Sequence, residues 1–467
     1  MSERSEVYHA PAVLLPEGWQ QNVRFEVAAT GDLVSLTPGQ GHEGATRLAG
    51  PVVPGMPNLH SHAFQRAMAG LAEVAGAGED SFWTWREVMY GFVGRLSPEQ
   101  VETIATQLYI ELLKGGYTAV GEFHYLHHQP DGTPYGELAE MSNRIAAAAK
   151  AAGIGLTHLP VLYGYGGFGG KPAGQGQRRF LNDPERYARI LEAFAGRHRG
   201  DPQIRLGIAP HSLRAVTQET LDAGVAALDR LDRTAPIHIH IAEQTKEVED
   251  CRAWSHQAPV EWLLSHLLVD ERWCLVHATH MTDVETRRLA ASGAVAGLCP
   301  TTEANLGDGF FNVPQYLAAE GRWGVGTDSH ISVSAIEDLR WLEYGQRLKF
   351  RRRNLMHGGP QGSKEGQANV GAFLWRQALA GGAQALGRRI GRLEPGWRAD
   401  FLVLDADHPA LVARQGDALL DALVFAGNAN PIRDVFVGGR HLVRQGHHNA
   451  EAPSARCFAK TLKELLA

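Results

Sequence analysis

Short apolar runs recur along the middle of the chain, and helical periodicity follows most of them. The runs that predict strands are residues 51–60, 118–124, 155–163, 204–210, 236–241, 273–278, 294–299 and 324–327. The predicted helices between them are residues 98–114, 136–152, 184–197, 218–231 and 284–291. Strands that alternate with helices are typical of parallel sheets, and eight such units predict a (β/α)8 TIM-like barrel of the α/β class.

Both ends of the chain have a different pattern. Residues 5–52 alternate apolar and polar positions between Gly and Pro residues, without helical periodicity. The same alternation returns at 399–405 and 434–443, where Gly438 and Gly439 separate two apolar stretches. Such alternation predicts short antiparallel strands. We therefore predict a barrel over residues 53–385 and a small β-sandwich domain built from 1–52 and 386–467, with a terminal helix.

The composition favours a protein without large charged partners. The 467 residues include 45 basic and 51 acidic ones, a net charge of −6, and neither sign forms a long run. Binding to nucleic acid or to a membrane surface is therefore not expected. The first residues are polar and charged, unlike a secretory signal, and no apolar stretch of about 18 residues is present to cross a membrane. We expect a cytoplasmic protein.

Histidine, rather than cysteine, is the residue type in excess. The four cysteines are scattered without a C-x-x-C pair, which argues against a disulfide framework and a thiolate zinc site. By contrast, the chain has 22 histidines. A barrel of this kind builds its active site at the carboxyl ends of its strands. The polar residues at those predicted ends are His60, His62, Glu122, His124, His211, His240, Glu243, His277 and Asp328.

A metal site is the simplest explanation of these histidines. His60 and His62 follow an apolar run, and the period of two in an extended strand puts both imidazoles on one face. His240 and Asp328 supply a third imidazole and a carboxylate. Nitrogen and oxygen ligands with an open position suit catalytic Zn²⁺, and Fe²⁺ accepts similar ligands. Because such an ion lowers the pKa of its water to about 7, hydrolysis is the expected reaction.

These motifs resemble those of the amidohydrolase superfamily. The matching features are the His60-x-His62 pair, His240-Ile-Ala-Glu243, His277, Asp328 and the stretch 393–404. Superfamily members with two metals carry a carboxylated lysine after the fourth strand, but residues 209–214 contain no lysine. The one-metal deaminase branch is therefore the closer match. That resemblance implies that Glu243 moves a proton to the leaving nitrogen, while His277 and Asp328 orient and deprotonate the water.

Within this branch the resemblance extends to the formimidoylglutamate deiminase family, which hydrolyses N-formimino-L-glutamate to N-formyl-L-glutamate and ammonia in histidine degradation. The stretches that carry it are 60–67, 82–86, 121–125, 209–216 and 299–307. The resemblance implies one divalent metal per subunit and a homodimer. A dicarboxylate substrate needs fixed cations, and Arg is the preferred partner. The implied binding set is Gln65, Arg86, Tyr125, His211 and Arg214.

Two other functions remain open on the residues alone. One is a metal-dependent deaminase that acts on a nucleoside, on guanine or on a triazine, for which an apolar and aromatic pocket is expected. The other is a non-catalytic binding protein that keeps the barrel. Arg86 also has an alternative role, because it stands near Trp83, Trp85 and Tyr90 and can stack on an aromatic ring for structural reasons.

Three further stretches have weaker signals. Residues 163–177 are rich in glycine but lack the P-loop pattern, so we predict a mobile loop over the barrel mouth. His124, His127 and His128 are predicted to lie in a surface loop without a second metal. Residues 83–89 are suggested as part of the dimer interface.

Overall fold

The computed structural model describes residues 5–74, 82–357 and 368–467. The strands are β1 (Glu6–Leu15), β2 (Gly18–Val27), β3 (Leu33–Thr37), β4 (Thr46–Arg47), β5 (Val52–Pro54), β6 (Met56–Ser61), β7 (Tyr117–His124), β8 (Gly155–Leu162), β9 (Ile204–Leu206), β10 (Ala209–Pro210), β11 (Ile237–Ile241), β12 (Trp273–His277), β13 (Val295–Leu298), β14 (Arg322–Val325), β15 (Phe401–Leu404), β16 (Ile432–Val437), β17 (Arg440–Arg444) and β18 (His447–His448). The helices are α1 (Phe82–Val93), α2 (Pro98–Lys114), α3 (Glu140–Ala152), α4 (Pro184–Arg197), α5 (Gln218–Leu231), α6 (Thr245–Ser255), α7 (Pro259–His266), α8 (Asp283–Ser292), α9 (Pro300–Leu306), α10 (Val313–Ala318), α11 (Ala335–Phe350), α12 (Val370–Leu386), α13 (Asp417–Phe425) and α14 (Glu451–Leu466). Short 3-10 helices occupy Ala63–Met68 and Gln175–Gln177.

The barrel consists of two hydrogen-bonded groups of parallel strands. One has the order β10-β8-β7-β6 with β9 beside β8, and the other has the order β11-β12-β13-β14. Parallel bridges from Ile208 to Ile237 and from Ser61 to Asp328 join the two groups and close the ring. Every residue of β7, β8, β11 and β12 is buried, as expected for strands covered by helices outside and filled by side chains inside. The predicted (β/α)8 barrel is confirmed.

Strands from both ends of the chain share one largely antiparallel sheet. Its order is β18-β17-β16-β15-β5-β1-β2-β3, with β4 beside β1. Strand β15 pairs with β5, and β5 leads directly into β6 of the barrel. The rings of Tyr8, Phe25, Phe401 and Phe436 pack against one another between these strands. The sheet thereby ties both chain ends to the first barrel strand, which carries the His-x-His pair.

The Gly438-Gly439 turn between β16 and β17 shows why glycine stands there. The two residues have φ values of 54° and 73°, in the left-handed region that a two-residue hairpin of this type needs. A Cβ atom on Gly439 would also lie 2.6 Å from Cγ1 of Val27. Both the backbone and the close approach of β2 therefore require glycine at this turn.

Helix starts agree with the sequence where a capping side chain is present. Helices α2, α4 and α5 have the predicted bounds, and their first turns are capped by the side chains of Ser97, Asp183 and Thr217. The predicted helix 136–152 instead begins at Glu140. Its N-cap residue, Ala139, offers no side-chain acceptor, so nothing extends the helix back to Gly136.

Helix α1 covers one side of the barrel mouth and was not predicted from the sequence. Its aromatic-rich start has low intrinsic helix propensity, so its stability comes from packing rather than from local preference. Phe82, Met89, Phe92 and Val93 are buried against the chain's own core. The predicted dimer contact over 83–89 falls on this helix and stays a prediction.

In the described part of the chain, no helix has the length and apolarity needed to span a bilayer.

Candidate active site

The four residues predicted to bind metal meet at the carboxyl ends of three barrel strands. The Nε2 atoms of His60, His62 and His240 lie 2.9 to 3.3 Å from one another. Oδ1 of Asp328 lies 3.4 Å from Nε2 of His60 and 3.3 Å from Nε2 of His62. All four side chains are buried, and their ligand atoms lie within 4.8 Å of one another.

The donor set fits a single divalent transition metal. Burial lowers the pKa of all three imidazoles, that of His62 to about 3, so the rings are neutral. Nδ1 of His62 donates a hydrogen bond to the carbonyl oxygen of Phe123 at 2.8 Å, which leaves its Nε2 lone pair facing the cluster. Three converging imidazole lone pairs and a carboxylate cannot satisfy one another, whereas a cation at their centre satisfies all four.

Glu243 and His277 lie beside this cluster. Ala242 has a φ of +50°, and this bend after β11 lets Glu243 turn into the cavity that His240 faces. Nε2 of His277 is 3.6 Å from Oε1 of Glu243 and 3.8 Å from Oδ2 of Asp328. Burial raises the pKa of Glu243 to about 7, although His277 opposes this shift. For His277, burial acts to lower the pKa, but Glu243, Glu303 and Asp328 outweigh it and raise the pKa to about 10.

Backbone strain is concentrated at these strand ends. Ala242, His277, Ala278, Asp328 and His330 are non-glycine residues with φ between 48° and 67°. Each such residue costs roughly 1 kcal/mol or more, and strain of this kind clusters at functional sites. The strand ends are therefore shaped to aim side chains into the cavity rather than to continue the barrel regularly.

The five residues predicted to bind substrate all line the cavity that Glu243, His277 and Asp328 also line. Nε2 of Gln65 donates to the hydroxyl oxygen of Tyr125 at 2.9 Å. The guanidinium carbon of Arg86 lies 4.5 Å from the ring centre of Trp83, so this arginine both stacks on an aromatic ring and borders the cavity. Two guanidinium groups, those of Arg86 and Arg214, thus stand in the same cavity as the histidine cluster.

Two acidic residues beside His277 have no role predicted from the sequence. Oε1 of Glu303 lies 3.2 Å from Nδ1 of His277 and accepts a hydrogen bond from the Cys299 amide at 2.9 Å. Asp308 is buried, and burial together with Glu243 raises its pKa to about 9. Glu303 belongs to the stretch 299–307 that carries the family resemblance, which was the available signal. For Asp308 we find no sequence signal.

Glu122, at the end of β7, supports the turn that carries the first two histidines. Its carboxylate accepts hydrogen bonds from the Ser61 hydroxyl at 2.6 Å, the Ala63 amide at 2.7 Å and the Tyr109 hydroxyl at 3.0 Å. These bonds fix the chain on both sides of His62. Burial raises the pKa of Glu122 to about 7 despite them.

The prediction of a surface loop at His124, His127 and His128 was wrong, because all three side chains are buried. The main-chain amides of His127 and His128 both donate to the carbonyl oxygen of Arg179. Their imidazoles bond to the carbonyl oxygens of Val161 and Leu181, each at 2.9 Å. The segment that follows the glycine-rich loop therefore covers these histidines.

The glycine-rich stretch 163–177 is tied to the barrel at several points. The Gly164 amide donates to the carbonyl oxygen of Ala215 at 2.8 Å, and Nε2 of Gln177 donates to the Tyr163 hydroxyl at 2.6 Å. Tyr163 lines the cavity, and Gly176 lies against Tyr90 of α1. The loop thus borders the cavity mouth as predicted, while its mobility stays a prediction.

Comparisons with known proteins agree on the family. The amidohydrolase family profile matches residues 52–442, and the profile of the formimidoylglutamate deiminase HutF N-terminal domain matches residues 5–50. The chain is 57% identical to the formimidoylglutamate deiminase of Pseudomonas aeruginosa over 98% of its own length and 99% of that protein. A crystal structure of an amidohydrolase from Brucella melitensis is 49% identical, with a TM-score of 0.93 over 99% of this chain and 100% of that one. An adenosine deaminase from Xanthomonas campestris with bound zinc shares the fold at 21% identity, with a TM-score of 0.78 over 98% of each chain.

Proposed function

The chain belongs to the amidohydrolase family, and from this premise we propose that it hydrolyses N-formimino-L-glutamate to N-formyl-L-glutamate and ammonia. The observation that carries the proposal is the shared cavity, in which two guanidinium groups accompany a histidine and aspartate cluster. The substrate has two corresponding parts: an amidine carbon for the histidine and aspartate cluster at one end, and two carboxylates for the guanidinium groups at the other. The N-terminal domain match and the similarity to the Pseudomonas aeruginosa enzyme support the same substrate.

We propose that Arg214 and Arg86 hold the carboxylates, with Gln65, Tyr125 and His211 as neutral partners. Arg presents a planar set of donors that matches a carboxylate. A partly buried Arg pairs with a carboxylate more strongly than an exposed Arg does. Burial and the neighbouring Arg214 lower the pKa of His211, so its ring is neutral and serves as a hydrogen-bond partner rather than a third cation. A purine or triazine offers no carboxylate to these groups, which argues against the rival deaminase functions.

We propose that His60, His62, His240 and Asp328 hold one divalent ion, with zinc as the expected metal and iron(II) suited to the same donors. Bound there, such an ion supplies Lewis acidity beside the amidine carbon. Asp328 then accepts a proton from the attacking water through its Oδ2 atom. His277, whose pKa is raised to about 10, stabilises developing negative charge as an imidazolium.

Glu243 completes the reaction by moving protons to the leaving group. Its pKa of about 7 lets it accept and release a proton near neutral pH. The water oxygen forms the new bond to the amidine carbon, and the bond from that carbon to the terminal nitrogen breaks. Asp328 releases the proton that it accepted and Glu243 carries the second one, so that both water protons end on the departing ammonia. We also propose a homodimer, which the family resemblance suggests and which light scattering of the purified protein tests.

Ammonia release by the metal-replete protein tests the substrate. We expect turnover of N-formimino-L-glutamate and much weaker turnover of N-formiminoglycine, which keeps the amidine but has one carboxylate. Arg214→Met should raise KM for the glutamate derivative by about 10- to 100-fold, the range expected for a hydrogen-bonded charge pair. Turnover of guanine, a nucleoside or a triazine in place of formiminoglutamate would contradict the proposal, and a protein that binds no metal would favour the non-catalytic alternative.

A further inference from the structure

Glu247 is a buried carboxylate in α6 that contacts two residues of the proposed chemistry. Its side chain is 1% exposed. Oε2 accepts a hydrogen bond from the main-chain amide of Glu243 at 3.1 Å. Oε1 lies 3.8 Å from Nε of Arg214. One carboxylate thus faces both the proposed proton carrier and the proposed carboxylate-binding arginine.

The Arg214 contact accounts for two otherwise unpaired atoms. Nε of Arg214 and Oε1 of Glu247 are both buried and have no hydrogen-bond partner in the described part of the chain. An uncompensated buried charge is strongly unfavourable, so each group serves as the counter-ion of the other. Glu247 takes the Nε side of the guanidinium, and no residue in the described part of the chain accepts a hydrogen bond from the two Nη groups, so their four N–H donors remain for a ligand.

The Glu243 contact fixes a strained segment. Ala242, with a φ of +50°, turns the chain after β11, and Glu243 follows immediately. A hydrogen bond to the Glu243 amide holds the backbone just beyond this bend. The Glu243 side chain can then keep its position 3.6 Å from Nε2 of His277.

We propose that Glu247 is a positioning residue that holds both Arg214 for substrate binding and Glu243 for proton transfer, an inference that rests on the proposed function. Its oxygens act separately, one on each partner. Removal of the charge alone should therefore disturb Arg214, whereas removal of the whole carboxyl group should disturb both residues.

Two variants separate these effects. Glu247→Gln keeps an oxygen acceptor for the Glu243 amide but loses the charge that faces Arg214, so KM for N-formimino-L-glutamate should rise about tenfold while kcat stays within about twofold of the parent. Glu247→Ala loses both contacts, so kcat should also fall by about tenfold or more. Glu249→Gln, on the exposed side of α6, is the matched control and should behave as the parent. Metal content should be unchanged in all three variants.

The results for the parent protein and its variants show separately whether the role of Glu247 fails and whether the proposed function fails. If the parent protein turns over formiminoglutamate and both Glu247 variants keep its KM and kcat, the positioning role of Glu247 is wrong and the function stands. Equal losses of kcat in both variants at unchanged KM would show a purely structural role and overturn it as well. If the parent does not turn over this substrate, the function fails, and calorimetric binding of N-formyl-L-glutamate tests whether Glu247 positions Arg214 for ligand binding. Equal dissociation constants for the parent and Glu247→Gln would then overturn the positioning role of Glu247. A larger dissociation constant for Glu247→Gln would support that role.

Discussion

Glu303 faces His277 with 3.2 Å between its Oε1 atom and Nδ1 of the imidazole. Glu243 stands at the other ring nitrogen, with Oε1 3.6 Å from Nε2. The ring therefore lies between two carboxylates, one for each nitrogen. Glu303 is itself held by the amide of Cys299, so it fixes both the orientation and the charge of His277.

Glu303→Gln should lower kcat by about tenfold and move the alkaline limb of the pH–rate profile to lower pH. An anion beside an imidazolium raises its pKa, so loss of the Glu303 charge lowers the pKa of His277 from its raised value. The protonated ring is then lost at a lower pH. A pH–rate profile of kcat at saturating substrate measures the shift.

The control for this variant is Glu219→Gln, which changes an exposed carboxylate on α5. It should leave both kcat and the profile unchanged. An alkaline limb that stays in place in Glu303→Gln, or moves to higher pH, would show that Glu303 does not set the charge of His277.

The sequence predicted strands and their chemistry better than it predicted neighbours in space. Most barrel strands are largely apolar runs that end at a polar residue or are soon followed by one, so the positions of His60, His240 and Asp328 on one rim follow from strand order alone. Glu303 and Glu247 lie on helices α9 and α6, and their contacts depend on how those helices dock against the loops beside them. The spacing of residues along the chain does not show how these two helices pack against the loops.

Helix α1 illustrates a second limit. Phe82, Trp83 and Trp85 are poor helix formers, and the helix is stabilised by burial of Phe82, Met89 and Phe92 against distant residues. Similarly, His127 and His128 are polar residues in a loop, which favours exposure when read locally. They are buried because a later segment, near Arg179, crosses over them.

His240→Ala should abolish metal binding and lower turnover by at least roughly 100-fold, because even residues that only support a ligand typically affect metal sites that strongly. Its three partners would keep too few donors to hold the ion tightly. Elemental analysis of the purified variant gives the metal content. Dialysis of the parent against a chelator should have the same effect on turnover, and zinc should restore it.

His238 supplies the matched control, because it lies two residues away on the same face of β11. Its Nε2 donates to the carbonyl oxygen of Ala385 at 2.7 Å, away from the cluster. His238→Ala should lower thermal stability while one metal per chain is retained. A His240→Ala protein that still binds one equivalent of metal would exclude His240 as a ligand.

Asp338→Asn should become more stable relative to the parent as pH rises through about 7. Asp338 is buried and accepts hydrogen bonds from the Tyr117 hydroxyl at 2.6 Å and the Thr301 hydroxyl at 2.8 Å. Burial raises its pKa from 3.8 to about 7, although these two bonds oppose the shift. Because the folded-state pKa is raised, the neutral acid contributes its full stability below pH 3.8, and that contribution is lost as pH rises through about 7.

The asparagine variant cannot ionise, so it lacks this loss. Melting temperatures of the parent and the variant at several pH values between 5 and 9 measure the difference. The exposed Asp222 on α5 gives the control variant Asp222→Asn, which should keep a melting temperature close to that of the parent. A stability difference for Asp338→Asn that stays constant across this range, or decreases with pH, would contradict the raised pKa.

Arg179→Met should destabilise the protein by about 3 kcal/mol and raise KM, because this buried guanidinium ties α1 to the barrel. It donates to the carbonyl oxygens of Val93 at 2.5 Å, Leu96 at 2.9 Å and His128 at 2.8 Å. Methionine fills similar space but leaves these buried carbonyls without a donor. The end of α1 would loosen, and α1 carries Arg86 in the cavity wall. The adjacent Arg178 is half-buried, but its hydrogen bonds to the carbonyl oxygens of Pro130 and Gln175 are exposed, so that water can replace it and Arg178→Met should change stability by less than about 0.5 kcal/mol. Denaturant unfolding and steady-state kinetics of both variants test the contrast, and equal effects of the two substitutions would show that Arg179 does not anchor α1.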